Sequence, residues 1–149
     1  MLFLDRAIEA GPSSAIAWTM SGATCGYLGN GPLAVERAER GVRLAPQDTY
    51  RFWHEALLGQ AHYLNGNFEE AAVWARRAVG RNRAVVFSLR TLIASLMALN
   101  KTDEAAAAVQ HLLRMQPGFR LAVYKKRCPF QGEALADWIG RLRAAGLPD

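Results

Sequence analysis

The stretch Leu58-Gly59-Gln60-Ala61-His62-Tyr63-Leu64-Asn65-Gly66-Asn67-Phe68-Glu69-Glu70-Ala71 decides the fold, because its small residues and its turn recur along the chain. Gly59, Gly66 and Ala71 have counterparts 37 residues earlier in Gly22, Gly29 and Ala34. Gly66 and Ala71 recur 34 residues later as Asn100 and Ala105. Pro12 and Pro46 are 34 residues apart, each closing a phrase, and Pro117 closes another. A period in this range implies stacked helical hairpins, since one hairpin cannot bury its own apolar face. The recurring small positions belong where two helix backbones approach closely and a larger side chain would overpack the contact.

Turn chemistry agrees with that reading. Gly29 ends one helix and Pro32 falls in the first turn of the next. Asn65-Gly66-Asn67 repeats the turn, and Asn67 with Glu70 has capping-box spacing. Asn100-Lys101-Thr102 is the third copy, followed by Asp103 and Glu104, which a helix dipole favours in its first turn. Ser13 or Ser14, and Asp48, are expected N-caps for the first helices of two hairpins. No segment alternates with period two between hairpin turns, so the expected class is all-α.

The spacing resembles the tetratricopeptide repeat (TPR), with its pattern W-x2-L-G-x2-Y, A-x3-F and P. One copy matches at Trp18, Gly22, Gly29, Ala34 and Pro46, with Ser21 in the Leu slot and Cys25 in the Tyr slot. The next matches at Leu58, Gly59, Gly66, Phe68, Ala71 and Ala78, but has Glu55 for Trp, His62 for Tyr and Arg83 for Pro. The third keeps Ala105 and Pro117 and has Asn100 in place of the turn glycine. The resemblance implies a helical-hairpin solenoid coiled as a right-handed superhelix. Residues 1–12 would be the second helix of a partial repeat. Repeats one to three would occupy 14–47, 48–84 and 85–118, and 119–149 would hold a basic segment and a capping helix.

In such repeats the first helix of each hairpin lines a concave groove. Carried over by register, that face comprises Ile16, Thr19, Ala23, Gly26 and Tyr27, then Trp53, Ala56, Gln60, Tyr63 and Leu64, then Phe87, Arg90, Ala94, Met97 and Ala98. The expected partner-binding set is Tyr27, Trp53, Gln60, Tyr63, Phe87, Arg90 and Met97, types that anchor interfaces. For Trp53 and Phe87 the competing reading is packing between repeats; Trp18, Trp74 and Trp138 read as packing residues. The Lys and Asn pattern with which heat-shock-chaperone adaptors clamp a C-terminal carboxylate is missing, Thr19 and Ala23 standing in the first repeat's slots. The ending GRLRAAGLPD, with PGF at 117–119 and CPF at 128–130, resembles tails of TPR regions on bacterial class III adenylate cyclases and winged-helix regulators.

Composition bounds the rest. The chain has 149 residues, 51% hydrophobic and 21% charged, which excludes a disordered or collagen-like chain. Asp5 and Glu9 interrupt any secretory signal, and the apolar run 91–100 is too short to span a bilayer, so a cytoplasmic protein is expected. Residues 1–75 carry five basic and eight acidic side chains, whereas 76–149 carry thirteen basic and five acidic. That asymmetry can mark a nucleic-acid or membrane-surface patch, or a face that docks an acidic partner, but with no long Lys/Arg run the preferred reading is a solvated Arg-rich surface. No base-reading pair repeats from unit to unit, which argues against nucleic acid.

Little points to chemistry. His54-Glu55 lacks the second His that a zinc-binding helix places four residues on, since position 58 is Leu58. Cys25 and Cys128 form neither a disulfide framework nor an activated nucleophile. The glycines at 26, 29 and 31 follow a helix, with no Lys-Ser/Thr behind them, and so mark a turn rather than a phosphate loop. The expectation is a non-catalytic interaction module without metal or cofactor, binding a peptide, a protein segment or a second copy of itself. Phe3, Leu4 and Ile8 would be the surface of a homodimer. The alternative is the regulatory C-terminal region of a larger cyclase or transcription regulator.

Overall fold

The computed structural model describes residues 1–83 and 85–149. Among them lie nine helices and no strand: α1 (Leu2–Ala10), α2 (Ala15–Tyr27), α3 (Gly31–Leu44), α4 (Arg51–Leu64), α5 (Phe68–Arg81), α6 (Val86–Ala98), α7 (Thr102–Met115), α8 (Leu121–Lys125) and α9 (Gly132–Ala144). α2/α3, α4/α5 and α6/α7 pair as hairpins. α2, α4 and α6 touch in succession to form one layer, with α3 and α5 each wedged against the next hairpin. This is a TPR-like helical solenoid. The expected boundary between repeats two and three, residue 84, lies outside the described residues.

The turns follow from backbone sterics. Gly29 (φ 83°) and Gly66 (φ 77°) take the left-handed conformation that ends α2 and α4. Asn100 (φ 57°) does the same after α6, a position asparagine tolerates better than other side-chain-bearing residues. Ser14 caps α2, its Oγ accepting from the Ala17 N–H at 3.3 Å. Two expected caps differ. Asp48 accepts from the Tyr50 N–H at 2.8 Å, so it folds the turn ahead of α4, whose N-cap is Tyr50. Asn67 makes no side-chain cap; its amide turns back to His62 Nδ1 at 3.3 Å, and Glu69 and Glu70 remain to complement the dipole of α5.

Close backbone approach accounts for the repeated small residues. A Cβ on Gly22 would lie 2.8 Å from both the Ala34 carbonyl oxygen and the Ala38 nitrogen. One on Gly59 would lie 3.1 Å from the Ala75 nitrogen and 3.2 Å from the Ala71 oxygen. Ala34, Ala38, Ala71, Ala75 and Ala105 are all fully buried. The contrast with Gly80, inside α5 with nothing within 4 Å of its Cβ position, gives an expected pair of results. Gly80→Ala should stabilise the protein by about 0.5–1 kcal/mol through helix propensity. Gly22→Ala should destabilise it by about 1–2 kcal/mol, because the clash is with backbone that only a helix shift can relieve. Thermal or urea unfolding of the two variants checks both signs.

Polar groups are buried between hairpins. The carboxylate of Glu55, 1% exposed, accepts from Arg51 Nε at 3.0 Å and Arg81 Nε at 2.7 Å. Arg51 also donates from Nη1 to the carbonyls of Val42 (3.3 Å) and Ala45 (3.1 Å), tying α4 to the end of α3. Buried His54 shares a hydrogen bond with Thr19 across α2 and α4, Nδ1 to Oγ1 at 2.7 Å. Burial holds the imidazoles of His54 and His62 below their ordinary value of 6.5, against the opposing pull of Asp48 on His54 and of Glu70 and Glu39 on His62.

A depressed histidine pKa means that the unfolded chain takes up protons first as pH falls. The stability these neutral rings carry is therefore fully present above 6.5 and lost progressively below it. The midpoint of thermal unfolding should fall between neutral pH and mildly acidic buffer, and a double variant His54→Gln with His62→Gln should flatten that slope.

At one end of the stack, α1 packs on α2 and is pinned to α3 by Asp5–Arg37 at 2.8 Å. Leu4 and Ile8 are half-buried there, while Phe3 is 82% exposed. At the other end, the tail does more than cover the last hairpin. α9 packs on α6 and reaches α4, where Trp138, fully buried, meets the Tyr63 ring edge-on at 4.8 Å between centroids. Phe130, ahead of α9, lies 5.9 Å from the Tyr27 ring in the first complete hairpin. The Leu121 N–H donates to the Pro148 carbonyl at 2.8 Å and closes the tail on itself. No helix among the described residues is long and apolar enough to cross a membrane.

Candidate functional site

Because α2, α4 and α6 form one layer, their exposed faces make a continuous concave surface, which the tail crosses. What remains between them is a cavity of about 600 Å³. One wall comes from the helices, with Tyr27, Trp53, Leu57, Gln60, Phe87 and Arg90; the other comes from the tail, with Phe119, Tyr124, Arg127 and Pro129. Tyr27, Trp53 and Phe87 are half-buried, each showing part of a ring. Gln60 accepts from the Tyr27 hydroxyl through Oε1 at 2.9 Å, which leaves its amide N–H groups as donors.

Arg90 is the distinctive charge. Its guanidinium carbon stands 4.4 Å over the Tyr124 ring, and its Nε is shut off from water with no hydrogen-bond partner. Among the described residues, every other arginine outside an ion pair is exposed; Arg90 alone is largely buried and has no carboxylate beside it. Burial lowers its pKa, since the charged form loses hydration, and the Tyr124 hydroxyl opposes that shift. Tyr124 in turn is pushed up to about 12, chiefly by burial. Its hydroxyl accepts from Trp138 Nε1 at 3.1 Å, so the wall facing Arg90 is held by the fully buried tryptophan of α9.

The structure divides the residues expected to face a partner. Tyr27, Trp53, Gln60, Phe87 and Arg90 line the cavity together. Tyr63 and Met97 do not. Tyr63 is 4% exposed, donating to Asp137 Oδ2 at 2.8 Å beneath α9, and Met97 packs against the core. Burial and the Asp137 carboxylate raise the Tyr63 pKa well above the tyrosine range. Tail residues Phe119, Tyr124 and Arg127 were not among the expected site residues. The basic, aromatic run 119–127 was their only sign, and it carries no register with the repeats.

No family model matches the sequence, and no curated protein matches it. Solved structures do. The crystal structure of MamA has a TM-score of 0.69 at 20% identity, covering 95% of this chain and 82% of that one. The first TPR of Spaghetti (RPAP3), bound to the HSP90 peptide SRMEEVD, has a TM-score of 0.65 at 21% identity, over 76% of this chain and 90% of that one. YrrB, described as a TPR protein with an unusual peptide-binding site, has a TM-score of 0.63 at 18% identity, over 97% and 75%. The fold is thus that of tetratricopeptide-repeat proteins. None of these three structures is described as part of a cyclase or a winged-helix regulator, so the tail's likeness to such regions finds no support among them.

Proposed function

We propose that this protein is an interaction module that takes a short segment of a partner protein into the cavity between α2, α4, α6 and its own tail. The observation that carries the reading is the state of Trp53, Gln60, Phe87 and Arg90. These interface-anchoring side chains line one cavity together, while Tyr63 of the same face is covered by α9. Two of the similar solved proteins are described with peptides or a peptide-binding site, which supports the same use of this fold. The tail sets a limit that an open solenoid would not have. With Phe130 seated on Tyr27 and α9 on Tyr63, an extended segment cannot run along all three repeats and must enter as a short anchor.

The test is selection from a display library of random short peptides on the immobilised full chain. Segments so obtained should lose about tenfold or more in affinity for a folded Trp53→Ala variant. Recovery of segments that bind wild type and Trp53→Ala equally well would place binding elsewhere and end the proposal.

A further inference from the structure

We infer that the segment taken into this cavity is acidic, and that the tail, through Arg127 and its basic neighbours, selects it together with Arg90. This deepens the reading above and rests on it. Arg90 and Arg127 line the cavity, and none of the described residues lining it is acidic. A guanidinium that has lost water and found no carboxylate is an unbalanced charge, which an entering carboxylate would balance with a charge-assisted hydrogen bond. Elsewhere among the described residues such pairing is the rule for partly buried arginines, as with Arg51 on Glu55, Arg37 on Asp5 and Arg141 on Asp137.

The cavity's outer edge continues the pattern. A shallow depression of about 260 Å³ adjoins it, sharing Phe119, Tyr124 and Arg127 and adding Arg120. Lys125 and Lys126 lie exposed between Tyr124 and Arg127, and none of these four cations sits in an ion pair among the described residues. An approaching segment therefore meets a positive rim first, which speeds encounter with acidic chains. One carboxylate then reaches Arg90, while an apolar side chain lies between Trp53 and Phe87 on one wall and Phe119 on the other. The volume fits a few residues, not an extended strand.

Selection from the random-peptide library reports the charge directly. The enriched segments that depend on Trp53 should carry an excess of Asp and Glu beside an aromatic or aliphatic residue. Replacing their acids by Asn and Gln should weaken binding by about tenfold or more. Arg90→Gln should remove most of that difference between acidic and amide forms. The triple variant Lys125→Glu, Lys126→Glu and Arg127→Glu, on the solvated edge and expected to fold, should slow association and blunt its salt dependence.

Trp53-dependent segments that are neutral or basic would overturn the acidic selection while leaving the interaction module standing. Segments indifferent to Trp53 would overturn both. A single-stranded RNA that bound more tightly than any acidic segment, and lost that binding in the same variants, would assign the rim to nucleic acid and overturn the proposal.

Discussion

Trp138→Ala is expected to cost about 3–5 kcal/mol, the largest effect of any single truncation in this protein. The indole is fully buried, edge-on to Tyr63 at 4.8 Å and to Phe130 at 4.9 Å, and its Nε1 donates to Tyr124. Its loss opens a cavity walled by rings too large to collapse into it, and leaves the Tyr124 hydroxyl without its donor. A change of that size lowers the unfolding midpoint of a chain this long by about 10 °C. The shape of the transition should change as well. In an ideal solenoid each unit touches only its neighbours, and the ends can melt independently. Here Tyr63–Asp137 and Tyr27–Phe130 join the tail to the second and first complete hairpins, so the wild type should unfold in one step. Without Trp138 the tail and α1–α5 should separate into two urea transitions, read by circular dichroism and by the fluorescence of the three remaining tryptophans. A variant within about 1 kcal/mol of wild type, still unfolding in one step, would show that the ring contacts do not couple the ends.

That coupling is the part of the fold that was hardest to see in the sequence. The hairpins were legible because close helix approach restricts residue identity locally: Gly22, Gly59, Ala34 and Ala71 are small where backbone stands opposite. Turns were legible for a similar reason, since a left-handed residue after each inner helix calls for Gly29, Gly66 or Asn100. The tail's path obeys no such rule. Phe130 meets Tyr27, and Asp137 meets Tyr63, across separations of 103 and 74 residues with no period to announce them. Reading 119–149 as a basic segment and a cap therefore carries no sign that the tail also walls the cavity. The same gap explains the mixed fate of the expected groove residues. Register places a side chain on the concave face, but only the tail's position separates Arg90, left facing the cavity, from Tyr63, roofed by α9.

Glu55→Ala is expected to cost about 3 kcal/mol, for reasons unlike those at Trp138. Glu55 stands where the repeat pattern calls for tryptophan, so this chain has put a buried anion into a packing position. Its carboxylate is neutralised by two guanidiniums, Arg51 from one turn earlier in α4 and Arg81 from the end of α5. Arg51, whose side chain is 21% exposed, would keep its bonds to the Val42 and Ala45 carbonyls but lose the balancing charge. Arg81, with its side chain half exposed, can swing into water, which sets the loss at the low end for a broken buried pair. The asymmetry can be measured. Arg81→Met should cost within about 1 kcal/mol, as expected for a partner that solvent already screens. Glu55→Gln, which retains size and one acceptor but no charge, should fall between the two. If Arg81→Met proved as damaging as Glu55→Ala, the triad would be a rigid clasp between α4 and α5 rather than a buried anion held mainly by Arg51. Equal stability of Glu55→Ala and wild type would mean that desolvation of the carboxylate already cancels its pairing, the outcome known for ion pairs whose burial costs as much as their attraction returns.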